Sequence, residues 1–220
     1  MTKKQAQPIL DRAAMPPAGI KVEDDYVLSP GDPVGFSGDN LLGMAVKIAT
    51  VGKFNTGLTH IAICAKHPDT GMLVFYEATS CCDQPCLIAK KIVSGVQCQP
   101  IAERVRRYNG SVFVWPLSSP LSTEESKALT INCGEEIGKP YDFSAAVRAR
   151  VLGLGWLFRL IHPRKENLDS FYCPEFVAEE LRKLRQIELA NVSNWHPDSL
   201  IEEFLRQGAC LPPLNVRAVF

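Results

Sequence analysis

Two runs of apolar, β-branched and aromatic residues dominate the first half of the chain: Leu58-Thr59-His60-Ile61-Ala62-Ile63-Cys64 and Met72-Leu73-Val74-Phe75-Tyr76-Glu77-Ala78. They bracket Lys66-His67-Pro68-Asp69-Thr70-Gly71, where Pro-Asp-x-Gly chemistry favours a tight reversal, so the pattern predicts a β-hairpin. Closing the loop at Lys66 and Gly71 sets His60 directly opposite Glu77. Closing it at His67 and Met72 leaves them diagonal but on one face. In either register Ile61, Ile63, Val74 and Tyr76 share the other, core-facing side; a slip by one residue would separate His60 from Glu77.

Around the hairpin the signals are shorter. Ser29-Pro30-Gly31-Asp32-Pro33 reads as a turn leading into a strand at Val34-Gly35-Phe36. Apolar residues at 41, 42, 45, 46 and 48 suit an amphipathic helix over 41–50. Further strands are expected at 87–93 and 111–115, and a short helix at 100–108. Ser122 and Glu125 have capping-box spacing, opening a helix that runs to about Gly138. Helices are also expected at 175–189 and 199–207, with an apolar run at 216–220. Strands come first and helices later, which predicts an α+β domain: an antiparallel sheet packed against helices on one side. Residues 1–25, with Met15-Pro16-Pro17 and Glu23-Asp24-Asp25, read as a polar N-terminal arm, leaving 26–220 as one domain.

Composition narrows the function classes. The 220 residues are 46% hydrophobic and 22% charged, with 24 basic and 24 acidic side chains. A formal charge of zero speaks against a general nucleic-acid-binding surface. The eight cysteines are scattered, so reduced thiols are expected rather than a disulfide framework. No apolar leader follows the polar start, and no apolar run reaches the ~18 residues of a membrane span. A cytoplasmic location is the expectation.

Candidate chemistry starts at Phe171-Tyr172-Cys173-Pro174-Glu175-Phe176-Val177-Ala178-Glu179-Glu180-Leu181. Proline is tolerated in a first helical turn because its missing N–H has no intrahelical partner there. With Pro174 as the first helical residue, Cys173 becomes the N-cap. A sulfur in that place faces unpaired N–H groups and the positive helix end, which favour the reactive thiolate. The plain structural alternative is a small apolar filler beneath a helix. His60 and Glu77 supply what thiol chemistry needs: a base beside the sulfur and a third group that fixes its ring.

Taken in order, Pro30-Gly31-Asp32-Pro33-Val34, Thr59-His60-Ile61-Ala62-Ile63, Tyr76-Glu77-Ala78, Gly138-Lys139-Pro140-Tyr141-Asp142 and Tyr172-Cys173-Pro174-Glu175-Phe176-Val177 resemble a known family. It is the circularly permuted, papain-like branch of the NlpC-type cysteine peptidases and amidases, near its YiiX/YaeF-like group. The resemblance spans about residues 26–205. It implies a permuted papain-like fold with Cys173 as nucleophile, His60 as general base and then acid, and Glu77 as the orienting group. The family usually has serine after the cysteine; Pro174 has no N–H, so an oxyanion donor from that position is lost. The Cys173 N–H remains, with Tyr172 or Tyr141 as assisting side chains.

Other readings are weaker. His67, Cys81, Cys82, Cys86 and Cys98 lack the paired CxxC spacing of structural zinc, so no metal is expected. His162 and His196 could replace His60 but face no evident carboxylate. No phosphate-cradling glycine loop is present, and no cofactor is expected. Expected partners are a peptide, amide or acyl-lipid substrate. The acyl-lipid case follows the related lecithin:retinol acyltransferase-like branch, and a protein that keeps the fold without turnover is the third class. The stretch 148–165 is apolar on more than one side and carries Arg148, Arg150, Arg159, Arg164 and Lys165. It reads either as a core helix with snorkelling arginines or as a flap beside Cys173 that touches a membrane surface.

Overall fold

A computed structural model describes residues 19–38, 57–146, 168–184, 186–189 and 191–219. The expected 41–50 helix, the 148–165 stretch and His162 lie outside the described residues. At the centre is a seven-stranded sheet. Its strands are β1 (Ile20–Val22), β2 (Pro33–Gly38), β3 (His60–Lys66), β4 (Leu73–Thr79), β5 (Gly95–Pro100), β6 (Gly110–Val114) and β7 (Leu214–Ala218). They lie in the order β1-β7-β6-β2-β3-β4-β5, and each neighbouring pair is antiparallel. Four helices are described: α1 (Ile101–Arg107), α2 (Thr123–Glu135), α3 (Cys173–Lys183) and α4 (Pro197–Arg206). This is the expected α+β class.

The hairpin closes in the second of the two expected registers. Ile63 pairs with Tyr76 and Lys66 with Leu73, and the loop is shut by His67 N–H donating to Met72 O at 2.8 Å. Strand alternation then sends Ile61, Ile63, Val74 and Tyr76 to one side, and His60, Ala62, Cys64, Phe75 and Glu77 to the other. Both sides are buried. On the first, Leu129 and Cys133 of α2, Phe176, Val177 and Leu181 of α3 and Leu200, Ile201 and Phe204 of α4 build the larger core. On the second, Ile101 and Val105 of α1 pack with Phe36, Ala62, Cys64 and Phe75. Helices therefore cover both faces rather than one: the apolar residues of the hairpin alternate between two buried sides, so each side needs a cover.

Three local expectations shift. The sheet begins inside the stretch read as a polar arm, because Ile20–Val22 pair with Val216–Ala218. Only two inward apolar residues mark that edge strand, too few for a periodic signal. The strand expected at 87–93 is a turn, and the strand lies at Gly95–Pro100 instead. Its inward residues on one face are Gln97 and Gln99, buried but polar, which hides it from a hydrophobicity pattern. Its open edge is covered by the loop after α2: Val96 N–H donates to Lys139 O and Gly138 N–H to Val96 O, both at 2.9 Å, which blocks further strand pairing. Gly95 makes this approach feasible. Its φ is +148°, and a Cβ there would lie 1.9 Å from Lys139 O.

The third shift concerns the cysteine helix. Tyr172 is the N-cap, so Cys173 and Pro174 are the first two helical residues, and the helix stops at Lys183 rather than 189. Ser122 and Glu125 make the expected reciprocal cap of α2. The PGDP turn is held by Asp32: its Oδ2 accepts from Tyr26 OH at 2.9 Å and Ser29 N–H at 2.8 Å, and its Oδ1 from Leu117 N–H at 3.0 Å. Those bonds tie the start of β2 to the end of β6, beside the strand that carries His60.

Candidate active site

His60 opens β3, and the diagonal register brings its ring to Glu77 on β4. His60 Nε2 lies 2.5 Å from Glu77 Oε2. The Glu77 side chain is fully buried and that of His60 is 12% exposed, so the pair is screened from water yet still reachable. A buried carboxylate without partners would take a proton. Here burial pushes the Glu77 carboxyl up, but the charges and hydrogen bonds of Arg104 and His60 outweigh it and hold the group at about 2. Glu77 is thus a fixed anion that only accepts, and the His60 Nε2 beside it carries the proton.

The partners that hold Glu77 were not singled out by the sequence reading. Arg104 of α1 donates from Nε to Oε1 at 2.9 Å and to Oε2 at 3.2 Å, and from Nη2 to Oε2 at 3.1 Å. Gln97 Nε2 of β5 donates to Oε1 at 3.3 Å, and to Gln97 Oε1 in turn comes Gln99 Nε2 at 3.4 Å. Arg104 stacks over Phe36 at 4.8 Å and over Tyr108 at 5.7 Å, and the His60 ring sits 5.4 Å from that of Phe36. A signal for Arg104 does exist. Ile101, Arg104 and Val105 fall at i, i+3 and i+4, so the arginine shares the buried face of a short helix.

Cys173 occupies the other side of the sheet. It is 1% exposed and belongs to the core that includes Ile61, Ile63 and Tyr76, whereas His60 and Glu77 project from the opposite face of the same two strands. The hairpin pair is therefore assembled, and the cysteine sits behind β3 at the start of α3. Its helix start is well anchored. Glu175 Oε2 reaches back to accept from Tyr172 N–H at 2.9 Å. Phe171 N–H donates to Pro140 O and Asp142 N–H to Phe171 O, both at 3.0 Å. Lys139 donates to Leu168 O at 2.8 Å and covers the Phe171 ring at 5.2 Å. Thus Gly138-Lys139-Pro140-Tyr141-Asp142, one of the stretches that carry the resemblance, props the residues before Cys173. Tyr141 and Tyr172 are edge-to-face neighbours, their centroids 6.3 Å apart.

The remaining candidates fall elsewhere. His196 caps α4, its Nδ1 3.8 Å from Asp198 Oδ2, and Asp198 Oδ1 accepts from Leu58 N–H at 3.2 Å, two residues before His60. His67 is built into the hairpin turn, accepting from Asp69 N–H at 3.2 Å. Cys86 Sγ accepts from Ala89 N–H and Cys98 N–H, both at 3.4 Å. All eight cysteines are free thiols; Cys81 is exposed, and burial raises the Cys98 thiol to about 12. No helix among the described residues is long and apolar enough to cross a membrane.

No family model matches this chain, and no curated protein matches it. Among solved structures it is similar to the metalloprotein yiiX from Escherichia coli O157:H7, described as DUF1105. The TM-score is 0.50 at 16% sequence identity, covering 88% of this chain and 89% of that one. At that identity the likeness concerns the fold: over most of its length, this chain has a YiiX-like α+β architecture.

Proposed function

We propose that this chain is a thiol hydrolase of the permuted papain-like, NlpC-type kind, cleaving an amide bond with Cys173 as nucleophile, His60 as acid–base group and Glu77 as its orienting carboxylate. The observation that carries the reading is the 2.5 Å contact between His60 Nε2 and a Glu77 carboxylate held ionised. With its proton on Nε2, the ring keeps Nδ1 as the nitrogen that exchanges protons. In the reaction Cys173 Sγ adds to the carbonyl carbon as its proton passes to His60. The C–N bond then breaks as His60 protonates the departing amine, leaving a thioester. Water, deprotonated by His60, adds to the thioester and expels the Cys173 thiolate. The two groups lie on opposite faces of the hairpin, so the scheme requires the His60 ring, on the first residue of β3, to come round the end of that strand to reach Cys173.

A peptide or cell-wall peptide is the substrate class favoured for such a site. The acyl-lipid alternative follows the lecithin:retinol acyltransferase-like branch, and the flap that would serve it, 148–165, lies outside the described residues. A fold kept without turnover is the competing reading, and two observations favour it: Cys173 is 1% exposed, on the far side of β3 from His60, and Pro174 provides no N–H for an oxyanion. YiiX is described as a metalloprotein. Among the described residues here, no group of three or more His, Cys, Asp or Glu side chains is arranged to hold a metal ion, so no step is assigned to one.

Mass spectrometry after exposure to an activated acyl probe tests the proposal. A thioester on Cys173 is expected, absent in Cys173→Ala and formed at least tenfold more slowly in His60→Ala. Alkylating reagents are a poor substitute, because exposed Cys81 reacts by access alone. Acylation confined to Cys81, or unaffected by His60→Ala, would leave the non-catalytic reading standing.

A further inference from the structure

The proposed chemistry needs His60 and Glu77, yet three of the five hydrogen bonds that Glu77 accepts or shares come from Arg104. It spans both Glu77 oxygens through Nε and Nη2 at 2.9–3.2 Å, and its guanidinium lies against two aromatic rings. Such a fork fixes a carboxylate in plane as well as in place, which a single ammonium cannot do. Oε2 is the oxygen that His60 and Arg104 share. Without the arginine, Glu77 would retain Gln97 on Oε1 and be free to turn Oε2 away from the ring. The Arg104 side chain is 16% exposed while that of Glu77 is not exposed at all, so the guanidinium also stands between the carboxylate and solvent.

We propose that Arg104, resting on the thiol hydrolase reading, is a positioning residue: it aims Glu77 Oε2 at His60 and shields that hydrogen bond from water. It touches no reacting atom and acts only through Glu77. Gln97, a neutral donor on the other oxygen, completes the clamp. The arrangement is more than a surface ion pair, because it joins β3, β4, β5 and α1 at one buried point.

The signature to follow is the His60 ring N–H proton, expected as a low-field NMR line in the wild-type protein and assigned by its loss in Glu77→Gln. In Arg104→Met, which keeps an apolar stem against Phe36 and Tyr108, this line should broaden or vanish through solvent exchange at least tenfold faster. Arg104→Lys should recover it in part. Turnover of an activated amide should fall at least tenfold in kcat with KM little changed. A folded Arg104→Met with the line unaltered would overturn the proposal; if that variant fails to fold, an unaltered line in Arg104→Lys would do the same. The two readings separate cleanly. Loss of the line as expected, with no Cys173-dependent turnover in any variant, sinks the hydrolase and leaves the clamp. Cys173-dependent turnover with the line indifferent to Arg104 does the reverse.

Discussion

Glu77 and Glu180 are both fully buried, on opposite sides of the same sheet, yet their carboxyls shift in opposite directions. Glu77 has an arginine fork, a histidine and a glutamine, and its carboxyl is held at about 2. Glu180, on α3, has Lys183 at 2.9 Å, but Lys183 also serves Glu136 at 3.0 Å. Its Oε2 has no hydrogen-bond partner among the described residues, and burial raises the carboxyl to about 7 despite that lysine. Asp32 stands between them. It accepts three hydrogen bonds but from neutral donors only, and burial still lifts it to about 6. Desolvation is common to all three; a cation dedicated to the carboxylate is what reverses it. The ionised state at the candidate site is thus a product of its clamp, not of its location.

The comparison breaks most readily at Glu77. Glu77→Ala strips the clamp and leaves Arg104 buried without its anion, so chemical denaturation at neutral pH should show a loss of roughly 3–5 kcal/mol. Because the folded value of Glu77 is depressed, its contribution is present above the ordinary ~4.3 of a free glutamate and lost as pH falls toward 2. The gap between wild type and Glu77→Gln should therefore close below about pH 3. A gap that persists at pH 2 would mean that shape, not charge, is what Glu77 contributes.

Glu180 should behave with the opposite sign. Its folded value is raised, so its contribution is complete below ~4.3 and disappears as pH climbs through 7. Glu180→Gln should then match the wild type near pH 4 and exceed it at pH 8 by about 1–3 kcal/mol. Denaturant midpoints at the two pH values decide the matter, and a destabilised variant at pH 8 would show that the Lys183 pairing outweighs burial. The smallest effect is expected at Asp32. Asp32→Asn keeps an acceptor for Leu117 N–H but strands Ser29 N–H, which lies near the surface, for about 1 kcal/mol. A melting curve indistinguishable from wild type would place that turn's stability elsewhere.

Residues near one another in sequence announced most of what was legible. The Pro-Asp-x-Gly turn and the parity of His60 and Glu77 put both on one face of a hairpin, and the second closing register is the one adopted. Ser122 and Glu125 marked a cap, and Tyr172-Cys173-Pro174 marked a helix start to within one residue. These are short-range rules: turn geometry, pleat and first-turn stereochemistry act over a few residues and need no knowledge of the rest of the chain. What covers each face is a different question. Gln97 and Gln99 hid β5 because polar side chains that are buried by partners look exposed in a hydropathy pattern, and Arg104 was a basic residue on a short helix until α1 docked over Glu77. The sheet's edge at Ile20–Val22 depended on strand β7, almost two hundred residues away. The relation of Cys173 to His60 is of the same kind. The sequence by itself supplied a helix-start cysteine and a histidine–carboxylate pair; only packing decided that α3 lies against the Ile61–Ile63 side while Arg104 closes over the other, because which side of a two-faced sheet a helix covers is set by the burial of its own apolar stripe against distant strands.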